Sequence, residues 1–185
     1  MFSARQLATR PYAVAADFCR IFNHDMNRLY LLAYLLTGDH AMAEECFVRG
    51  LEDSTTSNRV FREWAESWAR RTVIHNAIQM VRPRPTDRSV SRPDVRDVTD
   101  AAPIAAVIEL PAFERFAFVM SVLERHSLQE SSILLGCSRE EVMAGRDRAL
   151  RQIGRAAGVS RESAPRTGGG AAVRRAAAQH LAASA

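Results

Sequence analysis

The arginines of this chain are numerous, and their distribution suits binding to a negatively charged partner. Residues 139–185 contain nine Arg and four acidic residues, a net charge of +5, whereas residues 1–81 contain nine of each. A guanidinium group donates hydrogen bonds in a planar fork that matches phosphate oxygens and the edge of guanine. The basic surplus, in a chain of net charge +4, therefore indicates a nucleic-acid-binding segment near the C-terminus.

The other reactive side chains show no catalytic or metal-binding spacing. The five His are scattered, and none is paired with another ligand at a metal spacing. The three Cys make no CxxC pair, and each is predicted to be a small buried thiol: Cys19, Cys46 and Cys137. Adjacent acids such as Glu44 and Glu45 point to different sides of a helix, so they are predicted to be solvated. We therefore expect no enzymatic activity and no cofactor.

Two predicted helices around a tight turn lie where the Arg-rich segment begins, and the second helix is part of that segment. Gly136 can adopt the positive φ that ends a helix over 128–135. Ser138 can cap the next helix, and Glu141 completes a capping box. Such a pair is typical of a helix-turn-helix that binds DNA, and also of a plain helical hairpin in a bundle. The Arg residues of the second helix favour DNA binding.

Apolar periodicity predicts an all-α fold for the rest of the chain. Helices are expected over 14–36, 41–51 and 61–81, with Trp64 and Trp68 as core anchors. A Pro- and Arg-rich stretch then predicts a linker. We therefore predict a first small helical domain over 13–81 and a linker over 82–98. A second small helical domain is predicted over 99–155, followed by a disordered basic tail over 156–185. The longest apolar run is too short to cross a membrane, and no signal-peptide pattern is present, so a cytoplasmic location is expected.

Three segments resemble a known family. Residues 29–47, LYLLAYLLTGDHAMAEECF, and 61–78, FREWAESWARRTVIHNAI, are similar to sigma region 2. Residues 110–142, LPAFERFAFVMSVLERHSLQESSILLGCSREEV, are similar to sigma region 4. The chain thus resembles the extracytoplasmic-function group of the sigma-70 family of RNA polymerase sigma factors. This resemblance implies a three-helix region 2-like bundle, a region 4-like helix-turn-helix, and core RNA polymerase, promoter DNA and an anti-sigma factor as partners.

The resemblance also assigns residues to three surfaces. The expected core polymerase-binding residues are Glu44, Glu45, Val48 and Arg49. The expected promoter-melting surface comprises Trp68, Arg71, His75 and Asn76. The expected DNA-binding residues of the helix-turn-helix are Ser138, Arg139, Glu140, Met143, Asp147, Arg148 and Arg151.

Several positions depart from the family pattern. Val48 and Arg49 stand where the family usually has Gln and an acid, and a reversed charge can redirect the choice of partner. Gly145 replaces a usual Arg inside a helix, at a cost of about 1 kcal/mol relative to Ala. Arg146 replaces a core Leu and would have to extend its charge to solvent. The alternatives are a sigma-like regulator that does not initiate transcription, and a helical protein that binds DNA through the helix-turn-helix alone.

Overall fold

A computed structural model shows helices as the regular elements of the chain, which confirms the all-α prediction. The structure describes residues 11–56, 59–85 and 102–162, with the side chains of 104–156 in the last range. Among the helices described there, none is long and apolar enough to cross a membrane. Isolated β-bridge pairing joins Tyr12 to Phe61.

The N-terminal group of helices contains four α-helices and a 3-10 turn. These are α1 Ala15–His24, α2 Met26–Thr37, α3 His40–Thr56, the 3-10 turn Arg62–Trp64 and α4 Ala65–Val81. The single helix expected over 14–36 is interrupted at Asp25, whose φ of −98° and ψ of 19° are not helical. Asp is favoured at helix ends rather than interiors, which accounts for the break. Met26, the first residue of α2, is 51% exposed.

Helix α3 is longer than predicted, because its polar C-terminal residues pack against α4. The Ser54 hydroxyl donates to the Gly50 carbonyl at 2.7 Å and lies 2.9 Å from the Thr72 hydroxyl. A Cβ on Gly50 would lie 2.9 Å from Val73 Cγ2, so glycine allows the two helices to approach closely. The prediction that this helix ends at residue 51 is therefore wrong, because buried hydroxyls can satisfy one another and keep a polar segment helical.

The turn between α2 and α3 combines a glycine with a helix cap. Gly38 ends α2 with a φ of +73°, a conformation that glycine adopts without steric cost. The Asp39 carboxylate accepts a hydrogen bond from the Met42 backbone N–H at 2.9 Å, which caps α3.

The C-terminal group contains four further α-helices. These are α5 Ala102–Ile108, α6 Ala112–Phe118, α7 Leu128–Leu135 and α8 Arg139–Glu162, with a π-helical turn Val119–Leu123 after α6. Helix α8 thus continues into the segment predicted to be a disordered tail. The rest of that tail and the linker residues 86–98 lie outside the described residues.

One hydrophobic core includes residues from both groups. Leu32 and Leu36 of α2 belong to the same buried cluster as Phe116 of α6 and Val119 and Met120 of the π-helical turn. Among the described residues, those as far as Ile153 belong to one compact unit, and a second unit begins at Gly154. Described residues of both groups of helices therefore contribute to one shared apolar core.

Candidate nucleic-acid and partner surfaces

The helix-turn-helix is built from two capped helices around Gly136. Gly136 has a φ of +65° and ends α7. The Ser138 hydroxyl accepts from the Glu141 N–H at 3.2 Å, while the Ser138 N–H donates to the Glu141 carboxylate at 2.8 Å. The predicted capping box is confirmed. A second box, Ser127 with Glu130, begins α7; the same S-x-x-E signal in the sequence could have revealed it.

Helix α8 packs on α6 through a narrow stripe of small residues. Val142, Gly145 and Ala149, spaced three and four apart, are buried. A Cβ on Gly145 would lie 2.8 Å from Cε1 of Phe113, 3.1 Å from its Cδ1 and 3.2 Å from the Ala117 Cβ. Glycine at this position therefore sets the closest approach of α8 to α6, a requirement that the sequence did not reveal.

The opposite side of α8 is accessible and contains most of the residues expected to bind DNA. Those exposed are Ser138, Arg139, Glu140, Met143, Arg148 and Arg151. Asp147 is half-buried and accepts from both Nε and Nη2 of Arg146, at 3.3 and 3.2 Å. That contact holds the Arg146 guanidinium at the helix edge, where it is partly solvated, as the sequence required.

Arg148 lies on the flank of α8, and its side chain is 43% exposed although it is paired. Its Nε donates to Oε1 of Glu114 at 2.7 Å, and the Glu114 side chain is only 11% exposed. The second carboxylate oxygen of Glu114 is buried without a hydrogen-bond partner among the described residues. A buried carboxylate needs a cation, so Arg148 serves here to hold α8 against α6.

A groove follows α4 and contains three of the four residues expected at the promoter-melting surface. Trp68 and Arg71 line two adjoining cavities of about 550 and 450 Å³; Trp64 lines the first and His75 the second. Trp68, Arg71 and His75 recur at helical spacing along one face of α4, and Trp64 lies in the 3-10 turn just before it. Aromatic rings with interspersed arginines form the kind of surface on which unpaired bases stack while the backbone is neutralised.

Asn76, the fourth expected residue, lies on another side of α4. It is buried, and its amide donates to the Asp53 carboxylate at 2.7 Å and to the Thr72 carbonyl at 3.0 Å. Because successive residues of a helix are about 100° apart, Asn76 cannot share the face of His75. The structure therefore assigns Asn76 to the contact between α3 and α4.

Trp64 is 59% exposed, so the prediction that it anchors the core is wrong. Its ring meets Phe61 edge-on with centroids 5.3 Å apart, and Phe61 contacts Tyr12 at 5.0 Å. The 3-10 turn before α4 changes the helical register, so a single periodicity from 61 to 81 misplaced this ring. Nothing in the local sequence signals the contact with Tyr12, because that residue is distant along the chain.

The C-terminal group forms one wall of the α4 groove. Its lining residues are Glu124, His126, Glu130 and Leu134. The Glu130 pKa is below its usual value, chiefly because the Ser127 N–H and hydroxyl donate to its carboxylate, with smaller effects from His126 and Arg71. Nδ1 of His126 is buried without a hydrogen-bond partner in the described part of the chain.

The expected polymerase-binding residues lie together on the exposed side of α3. Glu44, Glu45, Val48 and Arg49 are all exposed, Val48 by 51%. Arg49 forms an ion pair with Glu45 one helical turn earlier. The charge of Arg49 is therefore partly neutralised within α3, and the exposed Val48 lies beside that pair.

The cysteines occupy three different environments. Cys46 is buried, its thiol donates to the Val73 carbonyl at 3.2 Å, and burial raises its pKa to about 12. Cys137 is partly buried, and burial raises its pKa. Cys19 is exposed, so its predicted burial is wrong. Within the described ranges, no group of three or more His, Cys, Asp or Glu could hold a metal ion.

Comparison with known proteins identifies no relative: no family model, no curated protein and no solved structure matches this chain.

Proposed function

We propose that this chain is a sigma-like transcription protein that recognises promoter DNA through α8 and binds core RNA polymerase through α3. The accessible side of α8 carries the proposal. Arg139, Met143 and Arg151 are exposed there, outside the buried stripe, on the second helix of a capped helix-turn-helix. Such a helix can enter the major groove, where arginine pairs with guanine and methionine makes apolar contacts.

The α4 groove and the α3 surface support two further parts of the proposal. The groove offers Trp68, Arg71 and His75 for a melted strand. The α3 surface offers Glu44, Glu45 and Val48 for the polymerase. No cofactor is needed for either interaction.

Capture of core RNA polymerase tests the proposal as a whole. Purified full-length chain should bind core polymerase stoichiometrically, and a known sigma factor should displace it. A folded helical sample that binds no polymerase would contradict the initiation function and indicate another partner for α3.

Arg139→Ala should weaken promoter-specific transcription by roughly ten- to a hundredfold, because one good base contact is worth about 1–3 kcal/mol. Binding to core polymerase should remain unchanged, since Arg139 is on α8 and the polymerase surface is on α3. Arg20→Ala is the matched control: it removes the same charge from α1, where Arg20 is paired with Asp17. Equal transcription by the two variants would contradict the DNA-binding role of Arg139.

A second candidate function is a sigma-like regulator that binds an anti-sigma factor or another transcription protein without initiating. The ion pair between Arg49 and Glu45 favours it, because this pair and Val48 replace the expected acidic surface. Capture of an anti-sigma protein, together with absence of polymerase binding, would support this candidate. Arg49→Glu should then weaken that capture.

A further inference from the structure

Arg115 of α6 is a buried cation that joins the N-terminal and C-terminal groups of helices. Only 4% of its surface is exposed. Its Nε donates to the Leu36 carbonyl at 3.1 Å, and its Nη2 donates to the Thr37 carbonyl at 3.0 Å. Both carbonyls belong to the last turn of α2, where backbone oxygens lack helical partners and the helix dipole attracts a cation.

The same guanidinium also holds the end of α5. Its Nη1 donates to the carbonyls of Ile108 at 3.1 Å and Leu110 at 3.3 Å. No carboxylate in the described ranges lies within ion-pair distance of Arg115. Its charge is therefore stabilised by four backbone carbonyls, two from each group, and separation of the groups would remove half of them.

Gly38 provides the space that this contact needs. A Cβ at Gly38 would lie 2.8 Å from Nη1 of Arg115 and 3.0 Å from its Cζ. Glycine is needed at this position for two reasons: the backbone has a positive φ, and a side chain would collide with the guanidinium of Arg115. The contact therefore fixes the position of Arg115 against the end of α2, which is far from it in the sequence.

The arrangement fixed by Arg115 places acidic side chains along the α4 groove. Glu124 and Glu130 line the cavity that also contains Arg70 and Arg71. Carboxylates in these positions compete with phosphates for the arginines and repel a nucleic-acid backbone. The groove is therefore unfavourable for a strand while the C-terminal group remains in place.

We infer that Arg115 is a clasp that holds the chain in a closed arrangement, and that its release from the α2 carbonyls uncovers the α4 groove. The role of the uncovered groove rests on the proposed function, whereas the clasp itself does not. In the closed arrangement the accessible side of α8 stays free. A partner that separates the two groups would thereby expose the single-strand surface.

The native cysteines allow the clasp to be tested without DNA or polymerase. Cys19 on α1 and Cys137 in the helix-turn-helix accept spin labels, while the buried Cys46 thiol, with its pKa of about 12, is protected. Double electron–electron resonance on the full chain should give one narrow distance distribution. Arg115→Met should broaden and lengthen it while circular dichroism retains the helical signal. An unchanged distribution would overturn the clasp.

Arg49→Met is the matched control, because it breaks an exposed ion pair within α3 and should leave the distribution narrow. If Arg115→Met fails to fold, Arg115→Lys retains the charge and stem but cannot reach four carbonyls. Arg115→Lys should then broaden the distribution partially. A distribution identical to wild type in a folded Arg115→Lys variant would overturn the clasp.

The affinity for a fluorescent single-stranded oligonucleotide is a separate measure of whether the α4 groove is accessible. Its affinity for Arg115→Met should rise by roughly tenfold or more over wild type, because apparent affinity is proportional to the fraction of open molecules. Widened distances without tighter oligonucleotide binding would support the clasp and contradict the proposed role of α4. Tighter binding without widened distances would overturn the clasp.

Discussion

At the scale of single residues, the structure gives three residues a role that the sequence did not predict. Arg115 lies in an apolar helix and is hydrogen-bonded to two helix ends. Arg148 binds the buried Glu114 from the flank of α8. Gly145 is the contact point between two helices rather than a weakness in one. In each case at least one partner is distant in sequence, so composition and spacing could not reveal it.

Gly145→Ala should destabilise the protein by about 1–3 kcal/mol, because the added methyl group meets the buried Phe113 ring and the core is already close-packed. Helix propensity alone predicts the opposite sign, a gain of about 1 kcal/mol. Urea denaturation of the two proteins measures the difference in the free energy of unfolding.

Gly154→Ala is the control for that measurement, since it makes the same change in the same helix. No heavy atom of the described residues outside the local helix backbone lies within 4 Å of its added Cβ. It should stabilise the protein by up to about 1 kcal/mol. A stabilising effect of both substitutions would show that α8 does not approach α6 as closely as described.

At the scale of elements, the helix-turn-helix depends on two separate capping boxes. Ser138→Ala should remove about 1 kcal/mol of stability, because the Glu141 N–H at the start of α8 loses its acceptor. Ser127→Ala should cost a similar amount through the Glu130 N–H at the start of α7. Urea denaturation of both variants tests this equality.

The two capping variants should differ in DNA binding. Ser138 lies at the N-terminus of α8, the end of a recognition helix that meets bases and phosphates, whereas Ser127 lies at the start of α7. A gel shift on promoter DNA should therefore show weaker binding for Ser138→Ala alone. Equal affinity of the two variants for DNA would contradict the placement of the α8 N-terminus against the DNA.

At the scale of the whole molecule, the shared core predicts one cooperative unfolding transition. Leu32 and Leu36 of α2 pack in one cluster with Phe116, Val119 and Met120, so neither group can unfold without exposing the apolar surface of the other. Scanning calorimetry should give a single peak whose calorimetric and van't Hoff enthalpies agree. Two resolved peaks would instead indicate two domains that unfold independently.

Much of the helical pattern could be predicted from local sequence. The turn at Gly38 with its Asp39 cap, the α7 bounds and the Ser138 capping box depend on backbone preferences and on hydrogen bonds between near neighbours. These energies are decided within one turn of helix. The accessible positions of Arg139, Met143 and Arg151 follow from the same periodicity, given the buried stripe of α8.

Other features were decided only by tertiary packing. The extension of α3 to Thr56 requires the hydroxyl of Thr72 on another helix. The exposure of Trp64 and the burial of Asn76 depend on the register of α4 against its neighbours. The sequence by itself determined an all-α chain with a capped helix-turn-helix and a basic C-terminal segment. Tertiary structure alone decided that the two groups share a core and that Arg115 joins them, because buried charges and close contacts depend on residues brought together only by folding.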